Sequence, residues 1–198
     1  MNRFPFQYYL TTNITLDENL AHELLSRCKT QDVKKGTLLL KEGEKLRHAF
    51  FVEKGLLKQY SIDSKGKEHI LQFAPENWFM ADRESEYLNH PSSYFIEAIE
   101  DTTVFLITRQ LILELAKKDP QFLAFNVQLL HQHILSLQKR ITLLQSATAE
   151  ERYLDFIKTY PDILLRVPQT SVASYMGIAP ESLSRIRKEL AAKYSSAS

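Results

Sequence analysis

The chain has 198 residues, 44% of them hydrophobic, so it is long enough for one or two domains with apolar cores and is not expected to be disordered. Lys and Arg total 25 against 24 for Asp and Glu, which excludes a polycationic nucleic-acid coat and leaves any DNA contact to local placement of charge. Cys28 is the single cysteine, which excludes an internal disulfide or an all-cysteine metal site within one chain. No stretch approaches the roughly eighteen apolar residues of a membrane span, so we expect a cytoplasmic protein without membrane contact.

The first half of the chain changes from a helical to a strand pattern. Residues 15–18 (TLDE) form a capping box ahead of periodic leucines and predict a short helix over about residues 16–28. From residue 33 to 107, β-branched and aromatic runs alternate with turn signals. They predict strands at residues 38–40, 49–52, 56–62, 68–73, 95–99 and 103–107. Many short strands at nearly even spacing predict a jelly-roll β-barrel.

Apolar residues after Pro120 follow an unbroken 3.5-residue period. This period is typical of a coiled coil, and β-branched residues at position a with leucine at position d favour a parallel two-stranded pair. It predicts a homodimer interface formed by Val127, Leu130, Ile134, Leu137, Ile141 and Leu144. The alternative is a long helix that packs against the barrel of its own chain, for which a strict heptad is not required. Another helix is expected at residues 150–159, ended by Pro161.

The last thirty residues have the spacing of a helix-turn-helix. Ala173 is small where two short helices would cross, Gly177 tolerates the positive φ of a tight turn, and Pro180 suits the first position of a second helix. Apolar residues at helical spacing would face inward: Leu183, Ile186 and Leu190. The alternative is an ordinary helical hairpin whose small residues serve packing alone.

The outward face of that second helix is the candidate DNA-reading surface. Arg185 suits a bidentate contact with guanine O6 and N7, and Glu181 can accept a hydrogen bond from a cytosine amino group. Neighbouring hydroxyl and basic side chains are assigned to phosphates: Ser182, Ser184, Arg187 and Lys188. Residues 180–193 carry four basic against two acidic residues, a net charge of +2, so we expect modest, strongly salt-dependent non-specific affinity.

The order of barrel, long helix and helix-turn-helix resembles the Crp-Fnr family of bacterial transcription regulators. The stretches that carry the resemblance are residues 35–44 (KGTLLLKEGE), 49–58 (AFFVEKGLLK), 66–70 (GKEHI) and 176–186 (MGIAPESLSRI). The resemblance covers nearly the whole chain and implies an α+β fold. It implies a cyclic-nucleotide-binding-like sensor barrel at residues 1–118, a dimerisation helix at 119–147 and a helix-turn-helix DNA-binding domain at 148–198. It also implies a homodimeric, sequence-specific regulator of transcription and not an enzyme, with Glu181 and Arg185 at positions that contact bases.

The chain departs from the family in its phosphate cassette. Members that bind cyclic AMP hold it with Phe-Gly-Glu and, after a short helix, Arg-Ser/Thr-Ala; the glutamate takes the ribose hydroxyl and the arginine takes the phosphate. The corresponding stretches here are residues 79–81 (FMA) and 92–94 (SSY), without glycine, glutamate or arginine. We therefore expect that cyclic AMP is not the effector and that any effector is another small molecule. The residues that could line a pocket for this molecule are Trp78, Arg83, Ser92, Ser93 and Tyr94. The alternative is that these side chains only fill the core of the barrel.

Two other classes of function compete with this interpretation. A cupin-like metal enzyme would need a histidine and carboxylate cluster on adjacent strands, whereas His48, His69 and His90 lack paired spacing. The other class is a ligand-binding barrel with a helical interaction tail. We expect no catalytic residue, no metal site and no cofactor, although heme ligation through His48 or His69 stays open.

Overall fold

The computed structural model describes residues 5–13 and 16–195. Contacts within the chain divide these residues into two compact units. The first unit contains the chain through Ile62 together with Leu71–His131, and the second contains Asp63–Ile70 and the chain from Gln132 onward. No helix of the described residues combines the length and apolar character needed to span a membrane.

The first unit is a β-barrel with flanking helices. Its helices are α1 (Pro5–Asn13), α2 (Glu18–Arg27), α3 (Arg83–Leu88) and α4 (Arg109–Lys118). Its strands are β1 (Lys29–Val33), β2 (Leu38–Leu40), β3 (His48–Lys54), β4 (Leu57–Ile62), β5 (Glu68–Ala74), β6 (Phe79–Met80), β7 (Phe95–Ala98) and β8 (Thr102–Thr108), with the first three residues of β5 in the second unit. The strands form two four-stranded sheets, ordered β1-β8-β3-β6 and β2-β7-β4-β5. The predicted α+β fold with a β-barrel is therefore confirmed.

Strand β3 is buried on both faces, and this explains its continuous apolar run. Successive side chains of a strand point to opposite sides, and here Phe50 and Phe51 are 1% and 0% exposed. Phe50 belongs to the apolar core of the barrel with Val52, Leu57 and Ile96. Phe51 belongs to a second core on the other side of the strand, formed with apolar residues of α1, α2, α4 and the helix that begins at Pro120.

Helix α2 and strand β1 are among the features that differ from the sequence prediction. Helix α2 begins at Glu18 rather than near residue 16, because Asp17 is its N-cap: the Asp17 carboxylate accepts hydrogen bonds from the backbone N–H groups of Asn19 (2.8 Å) and Leu20 (3.4 Å). Thr15, predicted to cap this helix, lies outside the described residues. Strand β1 was not predicted, because four of its five residues are exposed and polar, as is common in a strand at the edge of a sheet.

The second unit is mostly helical. It contains the C-terminal part of α5 (Pro120–Ser146), then α6 (Ala149–Thr159), α7 (Ile163–Arg166), α8 (Gln169–Met176) and α9 (Pro180–Ser195). Helix α6 begins one residue before its predicted start, after a capping box in which Thr148 N–H donates to Glu151 Oε2 (2.7 Å) and Glu151 N–H donates to Thr148 Oγ1 (3.2 Å).

Candidate nucleic-acid interface and sensor barrel

The turn between α8 and α9 has the geometry that the sequence predicts. Gly177 ends α8 in the left-handed conformation, with φ 66° and ψ 36°. The N–H of Ile178 donates to Ala173 O (3.0 Å) and that of Gly177 to Ser174 O (3.1 Å), the pattern of a Schellman cap. Helix α9 starts at Pro180, where a missing N–H costs nothing.

An apolar wedge fills the crossing of the two helices. Val172, Ala173 and Met176 of α8 are at most 1% exposed, and Leu183 of α9 is fully buried. Farther along α9 the same face continues with Ile186 and Leu190, both buried. Because the inward face is occupied, the opposite face of α9 is left for solvent or a partner.

Four of the six predicted DNA-contacting residues are exposed on that outward face: Glu181, Ser184, Arg185 and Lys188. Ser182 and Arg187 are half-buried at its borders. Within the part of the chain that the structure describes, the side chains of Glu181 and Arg185 make no hydrogen bond or ion pair, so their polar groups can bond to an incoming molecule. Lys193 differs, because its ammonium pairs with Glu150 of α6 at 3.0 Å, so the face is less basic than the residue count suggests.

Two arginines that sequence reasoning missed hold the C-terminal end of α8. Arg140 of α5 donates from Nη2 to Tyr175 O (3.1 Å) and to Ile70 O (2.9 Å), and its guanidinium lies 3.8 Å from the Tyr175 ring centroid. Arg152 of α6 donates from Nη1 to Met176 O (2.9 Å). Cations at the last carbonyls of a helix satisfy those acceptors and interact favourably with the helix dipole. No spacing in the sequence signals these contacts, because their acceptors are backbone atoms.

Ser174 adds a further attachment of α8 within the second unit. Its hydroxyl donates to Glu68 O (2.9 Å) and accepts from the N–H of Ile70 (3.0 Å), so it bonds to the backbone at the start of β5. Together with Arg140, this serine fixes α8 against residues 68–70, which belong to the same unit.

The predicted coiled-coil seam is an apolar stripe on the surface of α5. Val127, Ile134, Leu137, Ile141 and Leu144 are between 42% and 54% exposed, and Leu130 is half-buried. A different face of the same helix packs inside its own chain, through the buried Phe122 and Phe125. The helix therefore packs intramolecularly and also leaves the heptad seam uncovered.

The first cassette stretch is filled with apolar side chains. Met80 is 1% exposed and lies in the core of the barrel, and Trp78 and Ala81 pack against that core. The next residue, Asp82, caps α3 by accepting hydrogen bonds from the N–H groups of Glu84 (3.1 Å) and Ser85 (3.3 Å). Its carboxylate is thus engaged by the backbone of its own chain.

Comparison with known proteins agrees with this architecture. Residues 30–119 match the family described as Cyclic nucleotide-binding domain. The chain is 25% identical over 169 residues to the fumarate and nitrate reduction regulatory protein of Vibrio cholerae, covering 80% of this chain and 67% of that protein. It is 27% identical over 165 residues to the transcriptional activator protein anr of Pseudomonas aeruginosa, covering 78% and 67%. The structure of FixK2 from Bradyrhizobium japonicum is similar, with a TM-score of 0.73 and 21% identity over 84% of this chain and 85% of that one.

In sequence and fold the chain is similar to regulators of the Crp-Fnr family. Its relatives are regulators of transcription rather than enzymes, and this sets aside the cupin-like enzyme that the sequence left open.

The second cassette stretch is also engaged internally. Ser92 is 4% exposed, and its hydroxyl accepts from Tyr94 N–H (2.9 Å) and donates to Tyr94 O (3.2 Å). Ser93 is exposed and Tyr94 is half-buried. Arg83 donates from Nη1 to Glu86 Oε2 (3.1 Å). It lines a cavity of about 30 Å³ whose other walls include Tyr87, Arg109 and apolar side chains, and neither Trp78 nor residues 92–94 contribute to those walls.

The titratable groups considered as sensors of metal or heme lie apart. Burial lowers the pKa of His48, whose ring meets Phe50 edge-on at 4.9 Å. His69 pairs with Asp63 at 2.9 Å, and that contact, followed by backbone hydrogen bonds, lowers the pKa of Asp63 to about 2. Burial raises the pKa of Cys28 to about 12. Among the described residues no group of three or more His, Cys, Asp or Glu side chains is placed to hold a metal ion.

Proposed function

We propose that this DNA-binding regulator acts as a homodimer that reads a specific sequence through α9 and is not controlled by cyclic AMP. The observation that carries the proposal is the state of Arg185: it is exposed on a helix that Gly177 and the buried wedge hold in place, and it has no partner within the described residues. An exposed guanidinium with all its donors available is suited to guanine O6 and N7 in the major groove.

The positions of the other side chains on α9 support a division of labour. Glu181 and Arg185 are four residues apart in the first turns of α9, where recognition helices contact base edges. Glu181 would accept from a cytosine amino group. Ser182, Ser184, Arg187 and Lys188 flank this pair and would bond to phosphates, which fixes the register of the protein on the duplex.

The uncovered seam of α5 supports pairing of two chains. Aliphatic side chains that are about half exposed along three heptads would be covered by the same face of a second copy. In this arrangement residues 1–118 would be a sensor barrel, 119–147 the dimerisation helix and 148–198 the DNA-binding domain. Two recognition helices related by a two-fold axis would contact half-sites about 34 Å apart, one turn of the duplex.

The packing of the cassette supports independence from cyclic AMP. Met80 occupies the core where the family has glycine, and the hydroxyl of Ser92 is already bonded to the backbone of Tyr94. Neither stretch supplies a cation for a cyclic phosphate. An effector of this barrel, if it has one, would be a different small molecule that contacts residues such as Trp78, Arg83, Ser93 or Tyr94.

The function is tested by selecting bound sequences from a random duplex library and then comparing Arg185→Ala with the unaltered protein. We expect the variant to lose about 1–3 kcal/mol of binding free energy and to stop discriminating at one base pair of each half-site. Lys158→Ala is the control, because Lys158 is exposed on α6 and carries the same charge. A variant that discriminates at every position as the unaltered protein does would show that Arg185 is not a reader.

A further inference from the structure

The strongest unassigned site is a cavity within the second unit. It has a volume of about 80 Å³ and is enclosed by α5, α6 and α8. Its apolar walls come from leucine, phenylalanine and methionine side chains. Its charged and aromatic polar lining consists of Lys139, Arg140, Arg152, Asp155 and Tyr175.

The charges around this cavity do not balance. Three cationic side chains and one carboxylate line it, a formal charge of 3 − 1 = +2. The carboxylate, Asp155, forms an ion pair with Lys139. Within the described residues, the hydrogen bonds of Arg140 and Arg152 run to backbone carbonyl oxygens and not to a carboxylate. Two guanidinium charges therefore face the cavity region without a carboxylate partner of their own.

Arg152 also has a buried donor that is not used. Its Nη1 is bonded to Met176 O, but its Nε is buried and has no hydrogen-bond partner among the described residues. A buried N–H without an acceptor costs free energy, and more so when the group is charged. Nε shares with Nη2 the edge of the guanidinium that carries two parallel N–H bonds, which is the edge that binds an oxyanion in a bidentate manner.

We infer that this cavity binds the phosphate or carboxylate group of a small molecule, with Arg152 as its main donor. A volume of about 80 Å³ is several times the roughly 10–15 Å³ that one buried water needs, so the cavity has room for a small oxyanion. The bound oxyanion accepts a hydrogen bond from Arg152 Nε and balances the excess positive charge of the cavity. It lies between α5, α6 and α8. This site is separate from the barrel and from the outward face of α9, so the inference goes beyond the proposed function.

The test is a calorimetric titration of the whole chain with inorganic phosphate and with acetate, against sodium chloride at equal ionic strength. We expect saturable binding of one anion per chain. Arg152→Gln should weaken it by at least about tenfold, because a charge-assisted hydrogen bond is lost. Lys158→Gln removes the same charge from the same helix outside the cavity and should bind as the unaltered protein does.

A second measurement keeps the inference testable if Arg152→Gln does not fold. In unaltered protein with ¹⁵N-labelled arginine, the Nε–H resonance of Arg152 should shift and saturate in step with the phosphate titration. Heats equal to those of chloride, or an Arg152 resonance that phosphate leaves in place, would overturn the inference. A resonance that shifts with a DNA duplex but not with free phosphate would overturn it too, because the anion would then be the DNA backbone. No DNA is present in the first titration, so a negative result there leaves the reading role of Arg185 standing.

Discussion

The outward face of α9 and the cassette region of the barrel, residues 78–94, both align with family motifs, yet their polar groups are in opposite states. On α9 the side chains of Glu181 and Arg185 are exposed and make no bond within the described residues. In the cassette region Met80 is buried in the core, Asp82 caps a helix and Ser92 bonds to Tyr94. A polar atom that is already bonded inside its chain offers little to a ligand. Both regions therefore share the fold of the relatives, whereas the polar groups of Glu181 and Arg185 are available to a partner and those of Asp82 and Ser92 are not.

The largest effect is expected from a charge placed in the seam that would pair two recognition helices. Ile134→Glu puts a carboxylate at an a position, where the proposed two-fold axis would bring two copies together. An uncompensated buried charge costs about 3–5 kcal/mol, so we expect monomers in sedimentation equilibrium and loss of specific DNA binding. The barrel should keep its fold in the same variant.

The matched control is Leu135→Glu, one residue along α5. Leu135 is more exposed than Ile134, at 63% against 51%, and lies off the seam. It adds the same charge and should leave dimerisation and DNA binding unchanged. If Ile134→Glu stayed dimeric and bound DNA normally, pairing through α5 would be wrong, and the exposed face of α9 would have to act singly.

The sequence was most informative where one residue type is required by backbone geometry. Gly177 and Pro180 predicted the turn because a positive φ and a missing N–H are each tolerated by few residues. The strands of the barrel core were predictable for a related reason: runs such as residues 49–52 are buried on both faces and are therefore apolar throughout. The seam of α5 was visible because its period is strict.

Features that depend on backbone acceptors or on exposed polar strands could not be predicted from the sequence. Arg140 and Arg152 bond to carbonyl oxygens, so no complementary residue type marks them in the sequence. Strand β1 presents four exposed polar residues to solvent and pairs with β8 at the edge of its sheet. The loss of the cyclic AMP site could be predicted in part, because the sequence shows that the glycine and the arginine are missing. The hydrogen bond between Ser92 and Tyr94 could not be predicted from the sequence.

A smaller effect is expected from glycine replacements at the turn before α9 and at a tight turn of the barrel. At Gly177 (φ +66°) a Cβ would lie 3.4 Å from Leu144 Cδ2, whereas at Gly55 (φ +97°) it would lie 2.4 Å from Thr102 Oγ1 and 2.7 Å from Thr102 Cα. Gly177→Ala should lower the free energy of unfolding by about 1–2 kcal/mol through left-handed strain. Gly55→Ala should lower the free energy of unfolding by about 1–3 kcal/mol more than Gly177→Ala does, because backbone atoms of the barrel must move. Urea denaturation followed by circular dichroism measures both.

Gly177→Asn separates backbone strain from the added side chain at the turn. Asparagine adopts the left-handed conformation more readily than alanine. Gly177→Asn should therefore lower the free energy of unfolding by less than Gly177→Ala does, although asparagine has the larger side chain. An asparagine variant that is less stable than the alanine variant would place the cost in contacts with Leu144 and Arg152 instead.

The smallest effect is expected from cyclic AMP itself. Calorimetric titration of the whole protein with cyclic AMP should give only the heat of dilution, and its addition should leave DNA affinity unchanged. Met80→Gly opens the core where the family has glycine but adds no cation, so it too should fail to bind, which separates blocked space from missing charge. Binding by Met80→Gly but not by the unaltered chain would mean that space is the sole obstacle. Micromolar binding by the unaltered chain would mean that the cassette region keeps a phosphate site built from residues other than those of the family, and the contrast with α9 would no longer hold.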